Sequence, residues 1–372
     1  MRIQRLCRIT VAAIALASSL LINMQAARAA DLTQYISPEF CAVLVIHPDR
    51  IGESTLGEAV KSVLPKEIGG DPAALIVANL KKQKDPPKGM DADKLVSLLK
   101  GKTVHRVVLM IDSTMEKNNT PNAAMIVQFG SDIDGEGILS AVTTEWQPGE
   151  ANGVKYRKMK GKPGEADGAA VAPDSRMLIF GVESTVAKML ANNEGERPLL
   201  KQLQKASLKH DILVEVYVEP LLAGLAKSTG KSADVLLAQT GNPELAKDVK
   251  SLSLQLDFSG TKLLHAEVGT GKPDTAAKLV GMGLAGVADC KQQFEAVKKQ
   301  PPPFIPPPLV PVLSKLGDEI FAGLQIKSEG SLLTADLPMP DSLPDALKEG
   351  AKMIAPLVAN GGNAAAPPPG GP

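Results

Sequence analysis

Length, composition and charge limit the functions open to this chain. It has 372 residues, with 41 basic and 41 acidic side chains and only 3% aromatic residues. Removal of an N-terminal export signal would take away four arginines and leave 37 basic against 41 acidic residues, a net charge of −4. A mildly acidic chain with few aromatic side chains lacks the basic surface and the stacking platforms that nucleic-acid binding requires. We therefore expect no nucleic-acid partner.

The N-terminus has the three parts of an export signal. Three arginines within the first eight residues precede an apolar stretch from Ile9 to Ile22, and residues 27–29 read Ala-Arg-Ala. This pattern predicts a signal peptide over residues 1–29, cleaved between Ala29 and Ala30. The apolar stretch is short of the about 20 residues that span a bilayer, although an uncleaved anchor is the alternative. We expect a periplasmic or secreted protein without stable membrane insertion after cleavage.

Hydrophobic periodicity predicts two successive series of strands and helices. The first has strands at 40–47, 104–111, 123–129, 153–158, 168–172 and 176–182, with helices at 55–64, 91–99, 134–146, 184–192 and 198–206. The second has strands from 211 and at 250–258, 262–269, 323–328 and 331–337, with helices near 220–228, 243–248, 274–298, 311–321 and 342–357.

The two series have a similar order, and short turns such as residues 258–262 indicate antiparallel pairing. The sequence therefore predicts an α+β fold with two similar units of largely antiparallel sheet packed with helices. The units cover residues 31–206 and 207–357, and we interpret them as an internal duplication. Two unrelated domains are the alternative.

Proline and low-complexity segments mark the end of the chain. Residues 300–311 contain seven prolines, which predicts an extended polyproline II spacer inside the second unit. A ligand for an aromatic-lined groove is the alternative reading of this segment. Residues 358–372 are rich in Gly, Ala and Pro, which is typical of a disordered tail.

An acidic segment raises the question of calcium binding. Asp132, Asp134 and Glu136 alternate as the first ligands of an EF-hand loop do, but the twelfth position is Thr143 where a bidentate Glu is needed. These residues are weak metal candidates. The alternative is a helix start in which Ser131 or Asp132 caps the helix.

Residues 224–232, GLAKSTGKS, resemble a phosphate-binding loop. Five residues separate Gly224 from Gly230 where the motif has four, and Leu225 stands where the first glycine belongs. A helix also intervenes between the preceding strand and this segment. We expect the helix to end near residue 228 and Gly230 to adopt a left-handed cap.

Residues 281–286, GMGLAG, match the dinucleotide-binding pattern by letters alone. That pattern should directly follow a strand, whereas these residues lie within a helical apolar stripe. We expect Gly283 to allow close packing on a neighbouring element. With both glycine motifs rejected, the sequence predicts no cofactor.

Histidine and glutamate patterns suggest little chemistry. The four histidines are isolated in sequence, without metal-ligand spacing: His47, His105, His210 and His265. Glu215 and Glu219 are predicted to share one face of a strand. A solvated strand face is the favoured interpretation, and a catalytic pair is the alternative.

Two cysteines remain after signal cleavage, Cys41 and Cys290. Export would permit a disulfide between them. Both lie in apolar patterns, so buried free thiols are the alternative.

The segments AVLVIHPDRI, VHRVVLMID and SLSLQLDFSG give the chain a family resemblance. With the export signal and the repeated strand–helix order, it resembles exported proteins of planctomycete-type bacteria. This resemblance implies no activity and carries over no catalytic residue. Because every catalytic pattern fails in spacing or context, we expect a non-catalytic binding or structural protein, with a protein or an apolar ligand as its partner. A carrier of an apolar ligand and an extracytoplasmic hydrolase are the alternatives.

Overall fold

The computed structural model describes residues 32–63, 88–115, 121–161, 165–191, 196–206, 209–238, 242–302 and 305–359. The predicted signal peptide, with Ala29 and Ala30, and residues 360–372 lie outside these ranges. Within them the chain forms one antiparallel sheet with helices on its faces, as the α+β prediction requires. No helix in the described ranges is long and apolar enough to cross a membrane.

The described strands and helices are numbered in chain order. The strands are β1 Phe40–Ile46, β2 Val104–Met115, β3 Pro121–Phe129, β4 Gln147–Ala151, β5 Val154–Met159, β6 Gly168–Asp174, β7 Met177–Val182, β8 Ile212–Tyr217, β9 Val249–Leu256, β10 Lys262–Thr270, β11 Gln325–Glu329 and β12 Leu332–Pro338. The helices are α1 Pro48–Glu53, α2 Thr55–Val63, α3 Ala92–Leu99, α4 Gly135–Val142, α5 Glu183–Leu190, α6 Pro198–Ala206, α7 Val218–Thr229, α8 Ala233–Leu237, α9 Pro243–Asp248, α10 Pro273–Lys299, α11 Leu309–Gly323 and α12 Leu343–Ala359. A short 3-10 helix, Leu32–Tyr35, precedes β1.

The strand order divides the sheet into two halves that meet at its centre. The order is β11-β12-β10-β9-β8-β1-β2-β3-β7-β6-β5-β4, and strand β1 pairs with β8 at the centre. From this pair outward the halves run β1-β2-β3-β7-β6 and β8-β9-β10-β12-β11. Corresponding strands therefore occur in the same order, and β4 and β5 extend the first half alone.

In strands β1, β2, β3, β7 and β6 of the first half, both faces of the sheet carry buried residues. The front face, which carries Val43 and Val108, packs beneath the 3-10 helix, α5 and α6. The back face, which carries Val107 and Val127, packs beneath α3 and α4. Strands covered on both faces need apolar residues at successive positions, which explains the nearly continuous apolar run of β1.

In the second half the two faces differ in polarity. The strand register places Leu254, Ala266 and Ile326 in one row on the back face, beneath α10. The corresponding row on the front face contains Ser253 and Glu267. This alternation of apolar and polar residues is typical of an antiparallel sheet with one covered face.

Several predicted boundaries were wrong for identifiable reasons. Strand β8 ends at Tyr217, so Glu219 lies in the first turn of α7. Near the end of the proline-rich segment, Pro308 has helical dihedral angles and precedes α11. The fixed φ of proline suits a helix start as well as an extended chain, so the predicted spacer is shorter than residues 300–311. Helix α12 reaches Ala359, which overlaps the start of the predicted tail.

Candidate functional site

An apolar cavity lies between the front face of the first half and the elements that cover it. Its volume is about 370 Å³. The strands contribute Val43 and Val45 from β1, and Arg106, Val108 and Met110 from β2. The cover contributes Leu32, Ile36, Leu200, Leu203, Gln204 and Lys209.

The lining residues follow from the periods of the elements that carry them. Alternate residues of a strand point to the same face, which brings Val43 and Val45 to the cavity. Leu200 and Leu203 are three residues apart on α6, so they share the side of that helix that faces the sheet. The floor of the cavity is therefore formed by strands, and α6 supplies part of its cover.

A β-bulge near the start of β2 directs Arg106 toward the cavity. Val104 pairs with Phe129, and Arg106 pairs with the next residue of β3, Gln128, so His105 is an extra residue on β2. An extra residue changes the faces to which the flanking side chains point. Val104 consequently joins the back core, and Arg106 lies on the front face with Val108.

His47 fixes the guanidinium of Arg106 at the polar end of the cavity. Arg106 Nε donates to His47 Nε2 at 2.9 Å, and His47 Nδ1 lies 2.7 Å from the carbonyl oxygen of His210. Together these contacts require a neutral imidazole with its proton on Nδ1. Burial, and then the neighbouring Arg106 charge, lower the pKa of His47 to about 4. His47 therefore stays a hydrogen-bond acceptor for Arg106 at neutral pH.

Contacts between histidines, carboxylates and an arginine lie close to His47, where the two halves of the sheet meet. His105 Nδ1 lies 2.6 Å from Asp49 Oδ2, and His210 Nδ1 lies 2.7 Å from Asp257 Oδ2. Asp211 Oδ1 lies 3.1 Å from the Nε atom of an arginine on α1, Arg50. These three carboxylates thus already have an imidazole or a cationic partner.

Three of the four histidines, which are isolated in sequence, lie close together in the structure. The rings of His47 and His105 are 5.8 Å apart between centroids, and His210 binds His47 through its carbonyl oxygen. The fourth, His265, lies on the front face of the second half, between Asp336 and Glu267. No cluster suited to a metal ion occurs within the described ranges.

The structure separates the two glutamates that could have formed a catalytic pair. Glu215 is 2% exposed, and the Ser253 hydroxyl donates to its Oε1 at 2.6 Å. Burial raises the pKa of Glu215 to about 7, with a smaller opposing effect from Ser253. The prediction of a solvated strand face was wrong because α6 covers this part of β8. Glu219, on α7, does not share that face.

The weak calcium candidates have other roles. Asp134, rather than Ser131 or Asp132, caps α4 by accepting the Gly137 N–H at 2.8 Å. Arg176 donates to Asp132 at 2.7 Å, and Arg157 donates to Glu136. These arginine contacts hold the carboxylates apart, so the three side chains do not surround a cation.

The glycines of the two nucleotide-like motifs have structural roles. Gly224 packs its Cα against the backbone of Ser113 on β2, where a Cβ would lie 1.7 Å from the carbonyl oxygen. Gly230 ends α7 with a φ of 67°, as predicted for a left-handed cap. Gly283 lies over Ile326 of β11, as its predicted place on the packed side of the helix requires.

The two cysteines are free and lie in different environments. Cys41 is buried in β1, where burial raises the pKa of its thiol to about 11. Cys290 is exposed on α10. The disulfide considered from the sequence is therefore not formed.

A second concave region lies on the edge strands of the first half. Its volume is about 320 Å³, and Trp146, Tyr156 and Arg157 contribute to its lining. Tyr156 donates to Glu183 at 2.9 Å, and Arg157 pairs with Glu136. Because these polar groups are already paired, the cavity beneath α6 is the better candidate.

One feature of the sequence pointed to the candidate site, namely histidines at the ends of buried strands. His47 directly follows a buried apolar strand and lies two residues before Asp49, and His105 lies near the start of another such strand, next to Arg106. Polar residues at the ends of central strands are often brought together when those strands pair. Sequence spacing could not reveal this, because 163 residues separate His47 from His210.

Comparisons with known proteins add little to this description. No protein-family model matches the chain, and a search of curated proteins finds no match. A solved structure titled "Structure of crystal form I of TP0453" aligns with 86% of this chain and 98% of its own, at 10% identity and a TM-score of 0.37. That similarity carries no argument about activity.

Proposed function

We propose that this protein is a non-catalytic binding protein that carries an apolar ligand in the cavity beneath α6. The observation that supports the proposal is the cavity itself, which is about 370 Å³ in volume and has eight apolar side chains in its lining. Small-molecule sites are concave, mostly apolar and of about 300–1,000 Å³. Dense packing is the rule in protein interiors, and a ligand in the cavity would give its apolar lining residues further contacts.

The hydrolase alternative has weaker support. It rested on Glu215 and Glu219, which lie on different elements, one of them buried in a hydrogen bond with Ser253. A pair of acids serves hydrolysis when both reach the same substrate atoms. The arrangement around Glu215 favours a structural role.

Native mass spectrometry of the protein purified from its own host tests the proposal. We expect a mass above that of the polypeptide, and loss of the extra mass after denaturation and refolding. Val108→Phe should reduce ligand retention, because the phenylalanine ring is larger than the valine side chain and would occupy part of the cavity. Leu109→Phe, on the opposite face of the same strand, is the matched control and should retain the ligand. A bare polypeptide mass for the wild-type protein would contradict the proposal.

We also propose that the chain is exported, on the basis of the N-terminal pattern of three arginines, the apolar stretch and Ala-Arg-Ala. The resemblance to exported planctomycete-type proteins supports the same proposal. N-terminal sequencing of the protein from the extracytoplasmic fraction should give Ala30 as the first residue. Recovery of the intact N-terminus from the cytoplasm would exclude export.

We infer further that the two halves of the sheet arose by internal duplication. The support is their common strand order, with β1, β2, β3, β7 and β6 corresponding to β8, β9, β10, β12 and β11. The same strand order over five positions of the sheet supports duplication more strongly than a similar order of elements along the chain does. An experimental structure in which a single rotation fails to superpose these five strand pairs would refute the duplication.

A further inference from the structure

The cavity beneath α6 is apolar along its length but carries positive charge at one end. Among its lining residues, Arg106 and Lys209 are basic, and none is acidic. Lys209 is exposed, and within the described ranges it has no carboxylate partner. The lining of the cavity therefore supplies no negative charge to balance these two cations.

Arg106 is a charged residue in a mostly buried position. It is 7% exposed, and its Nε donates to His47. Its terminal nitrogens, Nη1 and Nη2, have no hydrogen-bond partner among the described residues. Asp49 acts on Arg106 through space, but its carboxylate is in contact with His105. A buried cation is costly unless an anion binds it directly.

The contact with His47 leaves the rest of the guanidinium free to bind a ligand. A guanidinium presents five N–H donors in a rigid plane, of which Nε–H is used here. The Nη pair can then form two parallel hydrogen bonds to one oxyanion. Since His47 is held by the His210 carbonyl oxygen, Arg106 is positioned before any ligand arrives.

We propose that the ligand is a single-chain amphiphile whose oxyanion head binds the Nη atoms of Arg106, with Lys209 at the outer side, while its apolar chain fills the cavity. This assignment rests on the proposed carrier function and specifies its ligand class. The volume of the cavity limits the length of the ligand's apolar chain. A cavity of about 150 Å³ holds benzene, so about 370 Å³ suits a ligand roughly twice as large, such as decanoate.

Isothermal titration calorimetry with decanoate, decyl phosphate and decan-1-ol tests the assignment on the full mature chain, stripped of bound ligand by denaturation and refolding. The alcohol has the same apolar chain without the charge. We expect decanoate to bind about tenfold or more tightly than decan-1-ol, since charge-assisted hydrogen bonds exceed neutral ones. Tighter binding of decyl phosphate than of decanoate would support the same oxyanion site and identify a phosphate head.

Variants then assign the charge effect to particular side chains. Arg106→Met should abolish the preference for decanoate, whereas Arg106→Lys should retain part of it because a cation remains. Lys209→Met should weaken decanoate binding less, because Lys209 is exposed and its charge is screened by solvent. Lys227→Met is the matched control: Lys227 is exposed on α7 and does not line the cavity, so the variant should bind as the wild type does.

The outcomes distinguish this inference from the proposed function. Equal affinity of the wild-type protein for decanoate and decan-1-ol would overturn the oxyanion site and leave the apolar carrier intact. Failure of all three ligands to bind would overturn both. Since the wild-type comparison needs no substitution, the test does not depend on whether Arg106→Met folds.

Discussion

Replacement of Gly224 by alanine provides a direct test of the packing of α7 on the centre of the sheet. A Cβ at this position would lie 1.7 Å from the Ser113 carbonyl oxygen and 2.8 Å from its carbonyl carbon. Both atoms belong to the backbone of β2, so no side chain can rotate away to relieve the clash. The helix would have to move outward from strands on both sides of the central β1–β8 pair.

The magnitude follows from two opposing effects. Overpacking of this kind costs about 1–3 kcal/mol, and a clash with the backbone of a central strand belongs at the upper end. The higher helix propensity of alanine returns about 1 kcal/mol. We therefore expect Gly224→Ala to lower the free energy of unfolding by about 2 kcal/mol.

Chemical denaturation with urea measures this change, and Gly281→Ala is the matched control. Gly281 also lies within a helix, but a Cβ there would meet nothing within 4 Å. This control should stabilise the protein by about 1 kcal/mol through helix propensity alone. Equal stability of the two variants would refute the reasoning, because both would then respond to propensity and not to the contact with Ser113.

The remaining predictions concern buried and capping side chains. Burial raises the pKa of Glu215 to about 7, above its value near 4.5 in the unfolded chain. Between about pH 4.5 and pH 7 the folded state therefore keeps a proton on Glu215 that the unfolded state loses, so the stability falls as the pH rises through this range. Glu215→Gln should therefore stabilise the protein at about pH 8, by up to about 3 kcal/mol, and have little effect below about pH 4.5; urea titrations that give the same difference at both pH values would contradict this. Asp134→Ala should cost about 1 kcal/mol through loss of the α4 cap, while Asp134→Asn costs less, and a rise in melting temperature on calcium addition would argue against the capping role. In the native protein a thiol reagent should label Cys290 quickly and Cys41 only after unfolding, a pattern that equal labelling rates would exclude.

Local structure was largely predictable because its determinants are adjacent in sequence. The apolar stripe of residues 274–298 predicted α10 to within one residue at each end, since a helix of that length needs a continuous period. Gly230 was predicted as a left-handed cap because Cβ-bearing residues rarely adopt positive φ. The strand β4 was missed, although Asn152 and Gly153, both with positive φ, form the hairpin turn to β5.

The faces of the strands were less predictable than their positions. The alternation around Glu215 indicated a half-exposed strand, but the burial of a strand face depends on which helix lies over it. Helix α6 packs on β8, and the carboxyl group that the sequence pattern places on a solvated face is buried. The weak calcium pattern failed for a related reason, because distant arginines engage two of its three carboxylates.

The sequence by itself determined the α+β class, the antiparallel pairing of neighbouring strands and the left-handed cap at Gly230, since each depends on short-range periodicity and spacing. Only the tertiary structure decided that Arg106, His47 and His210 meet at the end of an apolar cavity. Arg106 and His47 are 59 residues apart, and His47 and His210 are 163 apart. Contacts of that range depend on the order in which strands pair across the sheet, and the local sequence pattern does not encode that order.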